Sequence, residues 1–393
     1  MHLMGSILSL YTTVPCLRLH IMSVFGLRDI CSTNREADSD AALVLLSVTQ
    51  SITMALSTFV WQAICTSPHS PAGYNSVPSY FNSYIMTSQD QTILVFGPTG
   101  AVGCAAAIEA HRRGAHVWLA MRDTKKPIKG MSETHLRSER YQRVQADLSK
   151  PDTVKRAVQQ SGATSAFVYT IFDSADNMRS TFDALRDAGV KYVVLLSSYT
   201  VKGLAEDERN MQTFIERIHA KTEVALKESG ISCTAVRPMY FASNIFWYVD
   251  EIRQGKVQLL YPDIKFDYIS PTDIGAVCGS LLSEPRFRTK DNQIVPLCGP
   301  ELHTQREAMG IIGRTLGRKI EVQEIDENAW YEKQLKHMPR QVVETITNGM
   351  RASNNGCNFY PDYAEVSANV LKYAEREPIN LAGWVQANKV AFE

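Results

Sequence analysis

The sequence contains no C-x-x-C pair. Its eight cysteines, Cys16, Cys31, Cys65, Cys104, Cys233, Cys278, Cys298 and Cys357, are scattered, which speaks against a structural zinc site and a disulfide framework and favours a reducing compartment. The nine histidines show no H-E-x-x-H or comparable spacing, so no metal is expected. Excess charge is missing too, because 41 Lys and Arg balance 41 Asp and Glu. That balance leaves no basic face large enough to make nucleic acid the main partner. No internal repeat occurs. What is present is an ordinary globular composition, 45% hydrophobic and 21% charged over 393 residues, enough for one large domain or two moderate ones.

Residues 1–85 read differently from the rest. The stretch 41–67 carries no charge over 27 residues, long enough to span a bilayer. Eight Ser, Thr and Gln residues between Ser47 and Gln62 dilute it. Arg18 and His20 interrupt the first apolar run, so a secretory signal is not expected. A Ser/Pro/Asn/Tyr-rich linker, "TSPHSPAGYNSVPSYFNSY", follows, and then Met86, where a stand-alone nucleotide-binding unit would start. The extension 1–85 is expected to have no folded role and the protein to be cytoplasmic. A membrane anchor at 41–65, and so a membrane-tethered protein, is the alternative.

From residue 92 the pattern becomes specific. "TILVF" (92–96) is a short apolar run of the kind buried on both faces of a parallel sheet. It enters Gly97-Pro-Thr-Gly-Ala-Val-Gly103, then an Ala-rich helix closed by Gly114, then the strand "HVWLAM" (116–121). In this strand–loop–helix–strand setting Gly97 permits a tight turn and Gly100 lets the backbone approach a pyrophosphate. Gly103 allows close helix packing. The loop residues expected at the cofactor are Gly97, Thr99, Gly100, Ala101, Val102 and Gly103, with the helix N-terminus facing the anion.

Strand two ends in Arg122, followed by Asp123, Lys125 and Lys126. A base at this point suits a 2′-phosphate, so Arg122 and Lys126 point to NADP(H) ahead of NAD(H); Asp123 on a ribose hydroxyl is the alternative. Further strands are expected in "YQRVQADLSKPDTVKRAVQQSG" ahead of Asp147, and at "SAFVYTIF" (165–172), "KYVVLLSS" (191–198) and "ISCTAVRP" (231–238), alternating with helices. One long helix is expected over 208–230. This order predicts a doubly wound parallel sheet of the Rossmann type, α/β in class. Asp147 and Leu148 would then sit by the adenine, and Thr170, Ile171 and Phe172 near the ribose and nicotinamide.

The glycine loop, the strand-end "MRD", the Ser197-Ser198 pair, "HAKTEVALKESGISCTAVRPMYFASN" and "FDYISPTDIGAVCGSLLSEP" together resemble the NmrA-like family. This is an atypical branch of the short-chain dehydrogenase/reductases, related to isoflavone-reductase-like enzymes, and the similarity spans about residues 90–325. It implies an NAD(P)-binding domain, placed here at 86–240, and a smaller α+β substrate lobe with C-terminal helices at 241–393. The superfamily's Tyr-x-x-x-Lys pair is incomplete, since Arg217 stands four residues before Lys221.

The resemblance implies Lys221 at the ribose or as proton donor, with an exposed helix lysine as the alternative, and Ser198 at a substrate oxygen, with a strand-end cap as the alternative; Tyr199 and Tyr240 are candidate substitute donors. His219, on the opposite helix face from Lys221, is expected to be structural. Pro238, Tyr240, Phe241 and Asn244 match the exit of strand six that covers the nicotinamide. The aromatics of 245–252 suggest an apolar substrate, though a packed helix face explains them equally. Asp273-Ile274-Gly275 would dock its helix on the nucleotide domain, started by Pro271, Thr272 and Asp273. The last helix would wrap the substrate lobe or a partner subunit in a homo-oligomer.

Two functional readings stay open. One is an NADPH-dependent reductase of a C=C, C=O or C=N bond in an apolar small molecule, in secondary-metabolite biosynthesis. The other is a non-catalytic NADP(H)-binding redox sensor that docks on a protein partner.

Overall fold

The structure is a computed structural model that describes residues 91–289 and 292–393. The extension 1–85, with its anchor alternative at 41–65, lies outside the described residues. Among the described residues no helix is long and apolar enough to cross a membrane. The five described cysteines are all free.

The strands β1 (Thr92–Phe96), β2 (His116–Met121), β3 (Tyr141–Gln145), β4 (Ser165–Tyr169), β5 (Tyr192–Leu196) and β6 (Ser232–Pro238) form one sheet. A further strand, β9 (Gln293–Leu297), completes it in the order β3-β2-β1-β4-β5-β6-β9. Every pairing is parallel. Side chains alternate across a strand. Ile93 and Val95 therefore enter one core while Leu94 and Phe96 enter the other. Chain order reverses between β1 and β4, and ligands of such sheets bind at that switch point, beyond the strands' carboxyl ends.

On one face lie α1 (Ala101–Arg112) and, later in the chain, α7 (Pro271–Ser283). Between them come α2 (Glu133–Leu136), α3 (Pro151–Ser161), α4 (Arg179–Ala188), α5 (Phe214–Glu228) and α6 (Val249–Gln254). Helices α3, α4 and α5 cover the other face with Val154, Val158, Phe182, Leu185 and Leu226. Helix α7 lies almost against α1: a Cβ on Gly275 would stand 2.4 Å from Ala105 Cβ, and one on Gly279 would stand 2.7 Å from Ala106 O.

The remaining elements build a lobe. Strand β7 (Lys256–Leu259) pairs in parallel with β11 (Glu321–Glu324), and β8 (Lys265–Phe266) pairs antiparallel with β10 (His303–Thr304). They carry α8 (Gln305–Leu316), α9 (Glu327–Gln334), α10 (Arg340–Asn354) and α12 (Leu381–Ala387), whereas α11 (Tyr363–Ala374) packs Val370, Tyr373 and Ala374 into the core that holds α1 and α7. Leu381, Trp384, Val385 and Phe392 enter the lobe's own core with Met309 and Ile312. The terminal helix therefore wraps this lobe.

Four expectations change. The strand foreseen to residue 172 ends at Tyr169, because Thr170 turns to bond Leu196 O through its hydroxyl at 3.4 Å. The helix foreseen over 208–230 splits into a 3-10 turn, Glu208–Met211, and α5. Helix α7 is capped by the Ser270 hydroxyl, which accepts from Thr272 N–H, whereas buried Asp273 reaches the C-terminal tail. Its carboxylate takes Arg376 at 2.7 Å and Ile379 N–H at 2.7 Å. The division at residue 240 cuts through the nucleotide unit, since β9 and α7 both belong to its layers.

Candidate functional site

The glycine loop is shaped by contacts that leave no room for side chains. Gly97 has φ +65°, a left-handed conformation that glycine adopts readily, and donates to Ala120 O at 3.3 Å. A Cβ on Gly103 would stand 2.4 Å from Gly97 O, so the start of α1 presses on the turn. The first bond of α1 runs from Cys104 N–H to Gly100 O at 2.9 Å. The N–H groups of Ala101, Val102 and Gly103 precede it, at the positive end of the helix dipole. No side chain caps this end and no acid sits in its first turn.

These residues and Thr99 form one wall of a cavity of about 410 Å³. Phe167, Tyr169, Leu196, Phe241, Ser243 and Pro271 line the rest. A second cavity, of about 510 Å³, lies at the ends of β2 and β3 and is lined by Arg122, Gln145, Asp147, Lys150 and Arg156 among others. Burial alone would raise the Asp147 pKa. The Ser149 hydroxyl and N–H, with Lys150 and Arg122 nearby, outweigh it and hold the carboxyl below its usual value. Arg122 is exposed, and Lys126, also exposed, lines neither cavity. Leu148 is in the core, where its carbonyl accepts from the Thr181 hydroxyl at 2.8 Å.

Beyond β4, Ile171 N–H donates to Met178 Sδ at 3.3 Å, and Phe172 lies edge-on to Phe214 and His219 of α5, at 6.2 and 5.5 Å between ring centres. At the end of β5 the Ser197 hydroxyl donates to Glu223 of α5. Glu223 is paired in two-pronged fashion with Arg237 of β6, at 2.6 and 2.9 Å, with both side chains buried. This ion pair is fully hydrogen-bonded, the arrangement that buried charge requires.

Ser198 is half-buried, and its oxygen accepts from the Thr200 N–H and hydroxyl at 3.3 and 3.0 Å. The Tyr199 hydroxyl is pushed up in pKa by burial and by the negative charges of Asp267 and Glu216. Lys202 Nζ lies 4.8 Å over the Tyr199 ring.

Pro238 ends β6 and its carbonyl accepts from Tyr199 N–H at 3.2 Å. Tyr240 stacks on Phe266 at 3.9 Å, which turns it into the lobe, and its hydroxyl is bonded by Asn244. Asp267 fastens this exit, accepting from Tyr240 N–H at 2.8 Å, Gly299 N–H at 2.7 Å and the Tyr360 hydroxyl at 2.9 Å. Burial raises its pKa to about 6 against those bonds. Of 245–252, Ile245, Tyr248 and Ile252 pack in the lobe core.

Helix α5 puts His219 and Lys221 on different sides. His219 is buried, with Nδ1 lacking a hydrogen-bond partner and a pKa lowered by burial to about 4. Lys221 is exposed. At about 100° per residue Lys221 falls roughly opposite His219, and the inward side of α5 is the one carrying His219, Thr222, Glu223 and Leu226. Glu223 meets Ser197 just past β5, so His219, about one turn toward the helix N-terminus, lies beyond the strand ends. Residues of the region not singled out from sequence include Tyr169, Ser243 and Asp267. Helical spacing with Glu223 and Leu226 would have pointed to His219.

Strand order, glycine turn and cavity define a Rossmann-type nucleotide fold. A model of the NmrA-like family matches residues 89–385, and the chain belongs to that family. The nitrogen metabolite regulation-like protein bik4 of Gibberella fujikuroi is 38% identical over 276 residues, covering 66% of this chain and 84% of that protein. The (4-alkanoyl-5-oxo-2,5-dihydrofuran-3-yl)methyl phosphate reductase of Streptomyces griseus is 28% identical over 301 residues, covering 76% and 99%. Among solved structures, the Escherichia coli NADPH-dependent quinone oxidoreductase QOR2 complexed with NADPH has a TM-score of 0.60 at 17% identity, covering 76% of this chain and 99% of that one. At that identity the likeness is one of fold.

Proposed function

We propose that this protein is an NADPH-dependent reductase of an apolar small molecule, acting on a C=C, C=O or C=N bond in secondary metabolism. The observation that carries the reading is the cradle at Gly97–Gly103. It is built where a Cβ would collide with backbone, it ends in uncapped N–H groups, and it opens on an apolar wall. The residues fit a dinucleotide. Ala101, Val102 and Gly103 N–H would hold the pyrophosphate, Arg122 a 2′-phosphate, and the ionised Asp147 the adenosine end.

Bound NADPH would supply a hydride. The chain's own part is placement and proton handling. Phe167, Leu196 and Phe241 give the reacting end an apolar wall. Ser198 receives hydrogen bonds from Thr200, which leaves its own O–H to donate to the substrate atom that gains charge. His219 is uncharged at neutral pH, so it offers one N–H and one acceptor without acting as a cationic acid. Tyr199 holds its proton too firmly, beside Asp267, to be the better donor.

A second reading, the redox-sensing regulator, is favoured by Arg217 in place of the tyrosine, where its guanidinium bonds Met211 O at 3.3 Å. The name of the Gibberella relative points the same way. NADPH consumption against a panel of ketones, imines and enones separates the two. Turnover establishes the reductase; dinucleotide binding without turnover, with a protein partner captured, establishes the sensor.

A further inference from the structure

One side chain, Tyr169, lines the first cavity and stands near two charged residues that line the second. Tyr169 is the last residue of β4 and lies alongside Gly97, because Val95 pairs with Phe167 two residues earlier on both strands. Its ring rests on the glycine: Tyr169 Cε1 would be 2.7 Å from a Cβ at Gly97. It lines the first cavity with Thr99 and Gly100. Its hydroxyl lies within the electrostatic reach of Arg122 and Asp147, which line the second. The ring therefore stands at the point where chain order reverses between β1 and β4.

A ligand reaching from Arg122 and Asp147 on one side to Leu196 and Phe241 on the other must cross that point. Between Gly97 and Tyr169 there is only van der Waals contact. Tyr169 is 39% exposed at a strand end. Helix α1 cannot yield, because Gly103 is pressed against Gly97 O.

We propose that Tyr169 is the gate of the dinucleotide cleft, and that its ring must rotate off Gly97 before a dinucleotide can lie across the switch point. This rests on the reading of the cleft as an NADP(H) site. The closed population lowers apparent affinity by the fraction of molecules that are open, and slows entry by the same event.

The test is rapid-mixing and equilibrium titration of the full chain with NADPH, using wild type, Tyr169→Phe, Tyr169→Ala and Tyr169→Leu. The ring, and not the hydroxyl, fills the crossing. Tyr169→Phe should therefore stay within about two-fold of wild type, while Tyr169→Ala should associate and bind roughly five-fold better. Tyr169→Leu keeps apolar cover on the strand end should the alanine variant fail to fold, and should fall between. Unchanged or weaker binding by folded Tyr169→Ala or Tyr169→Leu overturns the gate while leaving the cofactor reading in place. Failure of all four proteins to bind NADPH or NADH removes the cofactor reading and the gate with it.

Discussion

His219 and Lys221 are two residues apart on α5 and face opposite ways, the imidazole buried against Phe172 and the ammonium exposed. The inward residue, not the lysine, is the one buried beside Phe172, just past β4. Under the reductase reading, His219→Leu should lower kcat by about ten-fold or more while NADPH still binds, and Lys221→Ala should leave both within about two-fold. Steady-state kinetics alongside a cofactor titration checks this. The opposite ranking would return the role to Lys221.

The same imidazole makes stability depend on pH. Its folded pKa, about 4, lies below the ordinary histidine value of 6.5, so the unfolded chain binds the extra proton first. The contribution is complete above pH 6.5 and is lost as pH falls toward 4, about 3 kcal/mol over that window. Denaturant unfolding of wild type and His219→Phe at several pH values isolates it. The stability difference should move in favour of wild type as pH rises, and a constant difference would refute the assignment.

Which parts of this were legible in the sequence follows from what each signal encodes. The continuous apolar run "TILVF" marks a strand buried on both faces, and the glycines of 97–103 mark places where backbone meets backbone, so the first βαβ corner could be read directly, whereas the docking of α7 on α1 came with the family resemblance. Lys221 was assigned by its spacing from a missing tyrosine, which names a position but not a face. The apolar run of 165–172 did not reveal that Thr170 would leave the strand for Leu196 O. Tyr169 was invisible because its meaning comes from β1, some seventy residues earlier in the chain, through the parallel register. Asp267 likewise joins Tyr240, Gly299 and Tyr360, which only tertiary folding brings together.

The buried pair of Glu223 and Arg237 ties α5 to β6 beneath the site. Arg237→Met should cost about 3–5 kcal/mol by leaving the Glu223 carboxylate buried without its cation. The double variant with Glu223→Leu should recover much of that loss. Chemical denaturation of the three proteins measures it, and strictly additive losses would show that the two charges do not depend on each other.

Gly103→Ala should both destabilise the fold, by about 1–3 kcal/mol, and weaken dinucleotide binding, because its methyl would meet Gly97 O at 2.4 Å. Thermal unfolding and an NADPH titration on the same preparation test the two effects together. Normal binding would mean that the turn has no part in the site.

The central claim is that the Gly97–Gly103 cradle and Arg122 hold NADP(H). Fluorescence titration of the full chain with NADPH and NADH, for wild type and Arg122→Ala, tests it most directly. Wild type should prefer NADPH by about 10- to 100-fold, the range of a hydrogen bond to a charged group, and Arg122→Ala should lose most of that preference through weaker NADPH binding alone. Equal affinity of wild type for the two cofactors, or no binding of either, would contradict the account.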